Sequence, residues 1–400
     1  GMSRSNVIYS GGGHCYILLP NTEECRMKFD GFIHDTNQWF IRTFETDLYI
    51  AGSYSECSAN SLKNEPCGSY EEIFNVLSFG ISGMKGKRYS PEEIMQLNSG
   101  SALDYSRECV VCKRFSEVNN DGRCPVCASM EKLSANVLYS DFFTVISDEN
   151  EGLLPLPGGY GLIQDEKDSL KERMENDSRF IRTYSKNRSY TGRHMATKLW
   201  VGSYSTGSTF QEFADNSRGI RRLGILRADV DNLGNAFVSG FKNKKNNDRY
   251  LTISRTATLS RQLSLFFKLH INKLMKAPEF TFDGRKKDRR NLTIVYSGGD
   301  DVFIVGAWDE VIEFAIDMRN AFKRYTEGTL TLSAGIGIYD SGYPISVSAD
   351  EVELMVDRSK ELKGKDGITL LEDGEYHEDQ GEGRQVSDGS YKWEVFEEKV

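Results

Sequence analysis

The sequence is poor in proline, in long apolar runs and in export signals. Its 8 prolines in 400 residues are about 2% of the chain, against a usual ~5%, which argues against long disordered linkers. No window approaches the ~18 consecutive apolar residues of a membrane-spanning helix. Residues 1–13 lack the apolar core of a signal peptide. We therefore expect a cytoplasmic protein with no membrane partner and two or three domains, at roughly 100–200 residues per domain.

Charge is distributed unevenly along the chain. The 59 acidic and 50 basic residues give a formal net charge of −9. Residues 371–400 contain ten acids and three bases, whereas residues 241–290 contain fourteen bases and four acids. The net charge therefore does not exclude a polyanionic ligand such as nucleic acid. A basic face that is simply solvated is the alternative interpretation of the second run.

Four of the eight cysteines form one compact pattern. Two Cys-x2-Cys pairs are separated by eleven residues, a spacing near that of zinc ribbons. Four thiolates can surround Zn²⁺ and leave no coordination position for water, which indicates a structural site. Two disulfides are the alternative, but they are rare in a reducing cytosol. The predicted zinc ligands are Cys109, Cys112, Cys124 and Cys127.

The first 218 residues predict a mixture of short elements. Two apolar runs around a glycine-rich turn predict a β-hairpin at residues 6–19. Helix-like sequence continues to about Phe44, and a further strand is expected at Asp47–Ala51. The stretch 147–218 is polar, and we interpret it as a connector with irregular strands.

The pattern becomes clearer from Leu223 onward. Apolar periodicity predicts the order β-α-β-β-α-β, which is the ferredoxin-like arrangement. The N-terminal segment would follow the same plan without its first strand and helix. Its turn, residues 9–14, also corresponds to residues 296–301. We therefore expect an α+β protein with two ferredoxin-like domains, the first truncated at its N-terminus, joined by a zinc-binding segment.

Three acidic residues should converge in the second of these domains. Asp229 ends its first strand, and Asp300 and Asp301 lie at the turn between its second and third. Carboxylate oxygens with room for water suit Mg²⁺ or Mn²⁺, which in turn suit nucleoside triphosphates. Successive strand residues face opposite sides. We therefore favour Asp229 with Asp301 as the principal metal pair, and Asp300 as a second ligand or a group acting on a 3′-hydroxyl.

Five further residues could handle the nucleotide. Gly298 and Gly299 leave the backbone bare, so that a phosphate can approach closely. Lys360 and Lys365 could neutralise a triphosphate, although a lysine near a helix C-terminus is also favoured by the helix dipole. Ser333 could contact a base or hydrogen-bond a neighbouring strand.

Together these motifs resemble the polymerase-like large subunit of type III CRISPR effector complexes, closest to the III-A (Csm) branch. The resemblance covers nearly the whole chain. The GGDD sequence at residues 298–301 would not by itself separate this family from diguanylate-type cyclases that use GTP. Besides the zinc knuckles, the segments that carry the resemblance are residues 226–234, 297–308 and 333–336.

The resemblance implies a function in antiviral defence. Members of the family are nucleotidyltransferases, activated by target RNA, that make cyclic oligoadenylate from ATP. In the family the two ferredoxin-like domains are called palms, a zinc-binding linker domain joins them, and the reaction takes place where they face each other. The implied partners are the other subunits of the effector complex, CRISPR RNA and target RNA. The resemblance assigns metal binding and catalysis to Asp229, Asp300 and Asp301. It assigns nucleotide contacts to Gly298, Gly299, Val230 and Ser333.

The chain also departs from the family pattern. Its single His-Asp pair, His34-Asp35, does not indicate the family's HD nuclease domain, and no terminal helical domain is recognisable. We therefore expect a fragment with the cyclase chemistry and weak turnover on its own. A non-catalytic scaffold that binds RNA and partner subunits is the alternative. The expected domains are a partial first palm (1–105), a zinc-knuckle connector (106–218), the GGDD palm (219–372) and an acidic segment (373–400).

Overall fold

The computed structural model describes residues 4–11, 13–98, 107–191, 195–243, 245, 248–371 and 389–400. Two parts of the sequence-based expectations lie outside these ranges: Gly12 of the glycine-rich turn, and residues 372–388 of the acidic segment. The chain divides into two compact units. The first comprises residues 1–18, 200–243 and 253–400, and the second comprises residues 19–199 and 244–252.

Both units contain helices and strands, and a π-helical turn at Phe266–His270 links two helices of the first. In chain order the elements are β1 (Val7–Gly11), β2 (His14–Ile17), α1 (Glu23–Phe44), α2 (Ser69–Gly86), α3 (Pro91–Asn98), α4 (Pro125–Val137), β3 (Phe142–Ile146), β4 (Leu154–Leu156), β5 (Tyr160–Asp165), α5 (Lys167–Asn176), β6 (Phe180–Lys186), β7 (Thr197–Leu199), α6 (Phe210–Asp215), β8 (Leu223–Val230), α7 (Leu233–Ser239), α8 (Ile253–Leu265), α9 (Ile271–Lys276), β9 (Leu292–Ser297), β10 (Asp301–Ala307), α10 (Trp308–Tyr325), β11 (Leu332–Tyr339), α11 (Ile345–Glu361), β12 (Gly367–Leu370), β13 (Ser390–Lys392) and α12 (Trp393–Lys399).

The first unit is built on a six-stranded sheet in the order β13-β12-β11-β8-β10-β9. The four strands β11-β8-β10-β9 have the ferredoxin-like order, so the predicted β-α-β-β-α-β arrangement of this region is confirmed. Strand β8 lies between β11 and β10 and is antiparallel to both. Its apolar residues Leu226 and Ala228 are fully buried. The sequence after Ala228 therefore emerges from the centre of the sheet.

The last residues of the chain complete this sheet. Strand β12 pairs parallel with β11, and β13 pairs antiparallel with β12. Trp393 at the start of α12 is fully buried, and its indole N–H donates a hydrogen bond to the Leu332 carbonyl at 2.8 Å. The described end of the predicted acidic segment is thus part of the palm core.

The strand predicted at Asp47–Ala51 is wrong. No strand forms there, and the segment runs as irregular chain beside α1. The reason is the buried side chain of Asn37, whose amide accepts from the Ile50 N–H and donates to the Ile50 carbonyl, both at 2.9 Å. A helix side chain therefore satisfies the backbone groups that a sheet partner would otherwise need to bond.

The stretch 147–218, predicted to form irregular strands, contributes four strands to a regular sheet in the second unit. Strands β3 to β7 form five strands in the order β4-β5-β3-β6-β7. The buried face of this sheet is partly polar, because the Thr144 hydroxyl lies 2.6 Å from the Asp165 carboxylate and 2.9 Å from the Thr183 hydroxyl. Arg173 of α5 completes the network through an ion pair with Asp165. Because some buried positions carry polar residues, these strands lack the alternation of apolar and polar residues from which strands are predicted.

Part of the basic run at residues 241–290 is neutralised inside the first unit. The guanidinium group of Arg290 is fully buried and pairs with Glu313 at 2.7 Å and Asp317 at 2.5 Å, both on α10. Lys287 also pairs with Glu313, at 3.1 Å. These two bases are therefore internal ion-pair partners, in contrast to Arg285, whose side chain is 85% exposed.

Replacing Arg290 by Met should destabilise the protein by about 3–5 kcal/mol, because Glu313 and Asp317 would remain buried without their guanidinium partner. Urea unfolding followed by tryptophan fluorescence measures this change. The matched control is Arg285→Met, for which the free energy of unfolding should change by no more than about 0.5 kcal/mol. Equal unfolding midpoints for the two variants would contradict this account of the basic run.

Candidate functional site

Two of the predicted catalytic acids face each other across neighbouring strands. Asp229 near the end of β8 is paired in register with Asp301 at the start of β10. Asp300 directly precedes β10 and is 8% exposed. The structure therefore brings Asp229, Asp300 and Asp301 to one edge of the sheet, with Asp300 in the turn.

The acids influence one another electrostatically. Burial raises the pKa of Asp301, the negative charge of Asp229 raises it further, and the nearby Tyr296 hydroxyl partly opposes both effects. Like charges at directly opposite strand positions are unfavourable unless a cation shares them. Facing carboxylates with a third beside them are a donor set that fits Mg²⁺ or Mn²⁺.

Lys360 lies directly at these acids. Its ammonium group, near the C-terminal end of α11, is 2.6 Å from Oδ2 of Asp229. The lysine is about a quarter exposed and the aspartate about a third. The residue that the sequence assigns to phosphate therefore already places a positive charge beside a carboxylate. Its contact with phosphate stays a prediction.

A neighbouring acid, Asp231, is buried and fully hydrogen-bonded. The hydroxyls of Ser333 and Thr331 each donate to it at 2.7 Å, and the Asp366 backbone N–H donates at 3.1 Å. Ser333 is completely buried, so its hydroxyl is engaged with the residue that follows the neighbouring strand β8. A contact between Ser333 and a base stays a prediction.

Lys365 and Val230 occupy positions determined by the backbone. Lys365 lies in the turn between α11 and β12, where it and Asp366 have left-handed backbones (φ 52° and 50°). The bond from Asp366 to Asp231 ties this turn to the end of β8. Val230 is buried, and its N–H donates to the Asp300 carbonyl at 3.1 Å.

Asp231 was not among the predicted site residues; its place two residues after Asp229 was the available signal.

The N-terminal hairpin β1–β2 contacts the GGDD turn, which the sequence did not predict. A Cβ atom on Gly299 would lie 3.0 Å from the Ser10 carbonyl oxygen and 3.2 Å from Cα of Gly11. Burial raises the pKa of Tyr9, and the charge of Asp300 raises it further. Tyr9 is therefore a site residue that sequence reasoning missed. The similarity between residues 9–14 and 296–301 was the signal that could have found it.

The four predicted zinc ligands converge in the second unit. The sulfur atoms of Cys109, Cys112, Cys124 and Cys127 all lie within 4.8 Å of one another. Backbone N–H groups of Cys124 and Cys127 donate to two of these sulfurs, at 3.3 and 3.5 Å. Burial raises the pKa of Cys109, but N–H groups of Cys112, Cys124 and Val111 outweigh this and lower it to about 6. The cluster fits a four-coordinate metal with no open position.

Metal analysis of the purified protein should find about one zinc per chain, and none after Cys109→Ser combined with Cys112→Ser, because two thiolates cannot complete the tetrahedron. The matched control replaces the exposed cysteines Cys15 and Cys67 by Ser and should keep the metal. Retention of zinc by the first double variant would place the metal elsewhere.

Among the residues that the structure describes, none of the helices combines the length and the apolar character that a bilayer-spanning helix needs.

Two protein families match separate parts of the chain. Residues 222–369 match the Cas10/Cmr2 second palm domain, and residues 1–100 match Csm1 subunit domain B. The first match includes Asp229, Asp300 and Asp301.

Curated relatives and solved structures agree with these matches. A CRISPR system single-strand-specific deoxyribonuclease Cas10/Csm1 (subtype III-A) from Mycobacterium tuberculosis is 41% identical over 394 residues, covering 93% of this chain and 48% of the relative. Its counterpart from Enterococcus italicus is 37% identical over 368 residues, covering 90% and 46%. A crystal structure of a Csm1–Csm4 cassette in complex with one ATP has a TM-score of 0.75 at 26% identity, covering 100% of this chain and 51% of that chain.

A Csm1–Csm4 cassette in complex with cA4 has a TM-score of 0.74 at 25% identity, covering 99% of this chain and 50% of that chain. The chain thus spans about half the length of the curated relatives that it matches. Identity and coverage lead to one assignment: the chain belongs to the Cas10/Csm1 family of subtype III-A CRISPR systems.

Proposed function

We propose that this chain carries the nucleotidyl-transfer centre of a type III-A effector subunit, which condenses ATP into cyclic oligoadenylate. The observation that carries the proposal is the placement of Asp229, Asp300 and Asp301 together at one sheet edge, beside a glycine turn. Relatives of the same fold that were solved with ATP and with cA4 support it. Two palm domains joined by a zinc-stabilised linker are part of the proposal.

Asp229 and Asp301 are the proposed metal ligands, and Asp300 is a further ligand or acts on the attacking hydroxyl. Bound Mg²⁺ or Mn²⁺ would favour ionisation of a 3′-hydroxyl and neutralise charge on the triphosphate. Because Asp229 and Asp301 are paired in register on the central strands, their backbone positions are fixed opposite each other before any ligand binds. Lys360, released from Asp229 when that carboxylate ligates a cation, would lie within reach of a phosphate.

The proposed reaction is transfer of an adenylyl group. The 3′-oxygen of one ATP attacks the α-phosphorus of another, a 3′–5′ phosphodiester bond forms, and pyrophosphate leaves with the electron pair of the broken P–O bond. The hydroxyl proton passes to a carboxylate or to water. Repetition and a final ring closure give the cyclic product. Weak turnover by this chain alone stays a prediction.

The proposed partners are those of the effector complex. Relatives of this fold were solved as Csm1–Csm4 assemblies, so we propose a Csm4-type subunit as the direct protein partner. CRISPR RNA and target RNA are proposed as the guide and the activator. The zinc cluster would stabilise the second unit and take no part in chemistry.

Calorimetry should show ATP binding that requires Mg²⁺ or Mn²⁺ and is weakened at least about tenfold by Asp300→Ala combined with Asp301→Ala, because the metal links these carboxylates to the phosphates. The control is Asp288→Ala, which removes an exposed carboxylate from a loop of the same unit. Equal ATP binding in EDTA, or clearly tighter binding of GTP, would refute the proposed chemistry or its specificity.

Replacing Lys360 by Met should have opposite effects on the two ligands. Mn²⁺ should bind several-fold more tightly without nucleotide, because the ammonium group no longer competes for Asp229. ATP at saturating Mn²⁺ should bind about tenfold more weakly, because one phosphate-neutralising charge is lost. Lys363→Met, an exposed change just beyond α11, is the control. Weaker Mn²⁺ binding in the Lys360 variant would contradict this role.

A further inference from the structure

The backbone of Gly298 in the GGDD turn does not have a positive φ angle. A left-handed conformation is therefore not the reason for a glycine at this position. The space around it gives a different reason. A Cβ atom at this position would collide with both the Tyr296 hydroxyl and Oδ1 of Asp301, and would lie 3.0 Å from Cζ of Tyr296. The absent side chain therefore leaves the space beside which this hydroxyl and Oδ1 of Asp301, a buried oxygen with no hydrogen-bond partner among the described residues, both lie.

The proximity of Tyr296 and Asp301 affects the pKa of both groups. Burial raises the pKa of Tyr296, and the charge of Asp301 and the interaction with its carboxylate raise it further. The same hydroxyl lowers the pKa of Asp301 against the effects of burial and of Asp229. The Tyr296 side chain is half exposed, so its ring adds little to the core and its hydroxyl can be removed with little cost to folding.

The same arrangement occurs a second time in the first unit. In the N-terminal hairpin, a Cβ atom on Gly11 would lie 3.0 Å from the Tyr9 hydroxyl and 3.3 Å from Oδ1 of Asp300. Both turns have the sequence Tyr-Ser-Gly. In both, the tyrosine hydroxyl and Oδ1 of either Asp300 or Asp301 lie beside the position that a Cβ atom on the glycine would occupy. This recurrence makes a chance contact at Gly298 a poor explanation.

We propose that Tyr296 is a positioning residue whose hydroxyl orients the Asp301 carboxylate for a divalent cation, and that Gly298 is glycine in order to leave room for this contact. The inference rests on the proposed function, since it takes Asp301 as a metal ligand. It differs from the interpretation in which Gly298 lets a phosphate approach the backbone. In that case an added methyl group would weaken ATP binding whatever the metal concentration.

The test uses Tyr296→Phe, Gly298→Ala and the double variant. Mn²⁺ binding without nucleotide is measured by electron paramagnetic resonance, with the signal of Asp301→Ala subtracted, and ATP affinity is measured at saturating Mn²⁺. Each single change should raise the Mn²⁺ dissociation constant about tenfold, as is typical when a group that orients a metal ligand is lost. The Mn²⁺ dissociation constant of the double variant should be no higher than that of the single variant with the lower affinity, because both changes remove the same contact. ATP affinity at saturating Mn²⁺ should stay within about twofold.

The control is Tyr343→Phe, which removes a hydroxyl bonded to Glu351 at 2.7 Å on the same unit. It should leave the Mn²⁺ dissociation constant unchanged. An unchanged constant in Tyr296→Phe would overturn the inference, and so would additive effects accompanied by lost ATP affinity in Gly298→Ala. A wild-type protein that binds Mn²⁺ through Asp301 but no ATP would refute the proposed function alone. The Mn²⁺ dissociation constants of the variants would then still decide the inference. A wild-type protein that binds no Mn²⁺ overturns both.

Discussion

Two negative charges at directly opposite positions of adjacent strands are the constraint around which the first unit is organised. The pairing of β8 with β10 holds Asp229 against Asp301, an arrangement that destabilises a sheet unless the charge is shared. The central position of β8 between two antiparallel neighbours prevents the two residues from moving apart. The apolar core therefore maintains an unfavourable electrostatic arrangement, as is common where a site is built to bind a cation.

The groups around this pair distribute its charge. Lys360 reaches Asp229 from α11, and the Tyr296 hydroxyl reaches Asp301 from β9. Asp231, although close in sequence, has its oxygens occupied by buried donors and holds a neighbouring turn in place. Acids of similar position thus have different surroundings. Both oxygens of Asp231 accept hydrogen bonds, whereas Oδ2 of Asp229 pairs with Lys360 and Oδ1 of Asp301 accepts none from the residues that the structure describes.

The sequence predicted those features that depend on local periodicity and spacing. The ferredoxin-like order and the meeting of Asp229 with Asp301 followed from strand patterns, and the convergence of the four cysteines followed from their spacing. The strand at Asp47–Ala51 failed because a distant side chain, Asn37, takes the Ile50 backbone groups. The regular sheet to which 147–218 contributes four strands was predicted only as irregular strands, because its buried face is partly polar. The packing of the Tyr9 hairpin against the GGDD turn joins segments almost 300 residues apart, so only the similarity between residues 9–14 and 296–301 could have indicated it.

The central claim is that the facing acids bind the divalent cation that holds ATP. Anomalous diffraction at the manganese edge, from crystals grown with Mn²⁺ and a non-hydrolysable ATP analogue, tests it most directly. The account predicts a manganese peak within coordinating distance of the Asp229 and Asp301 carboxylates and of the triphosphate. Nucleotide bound in the crystal with no manganese at these two carboxylates would contradict it.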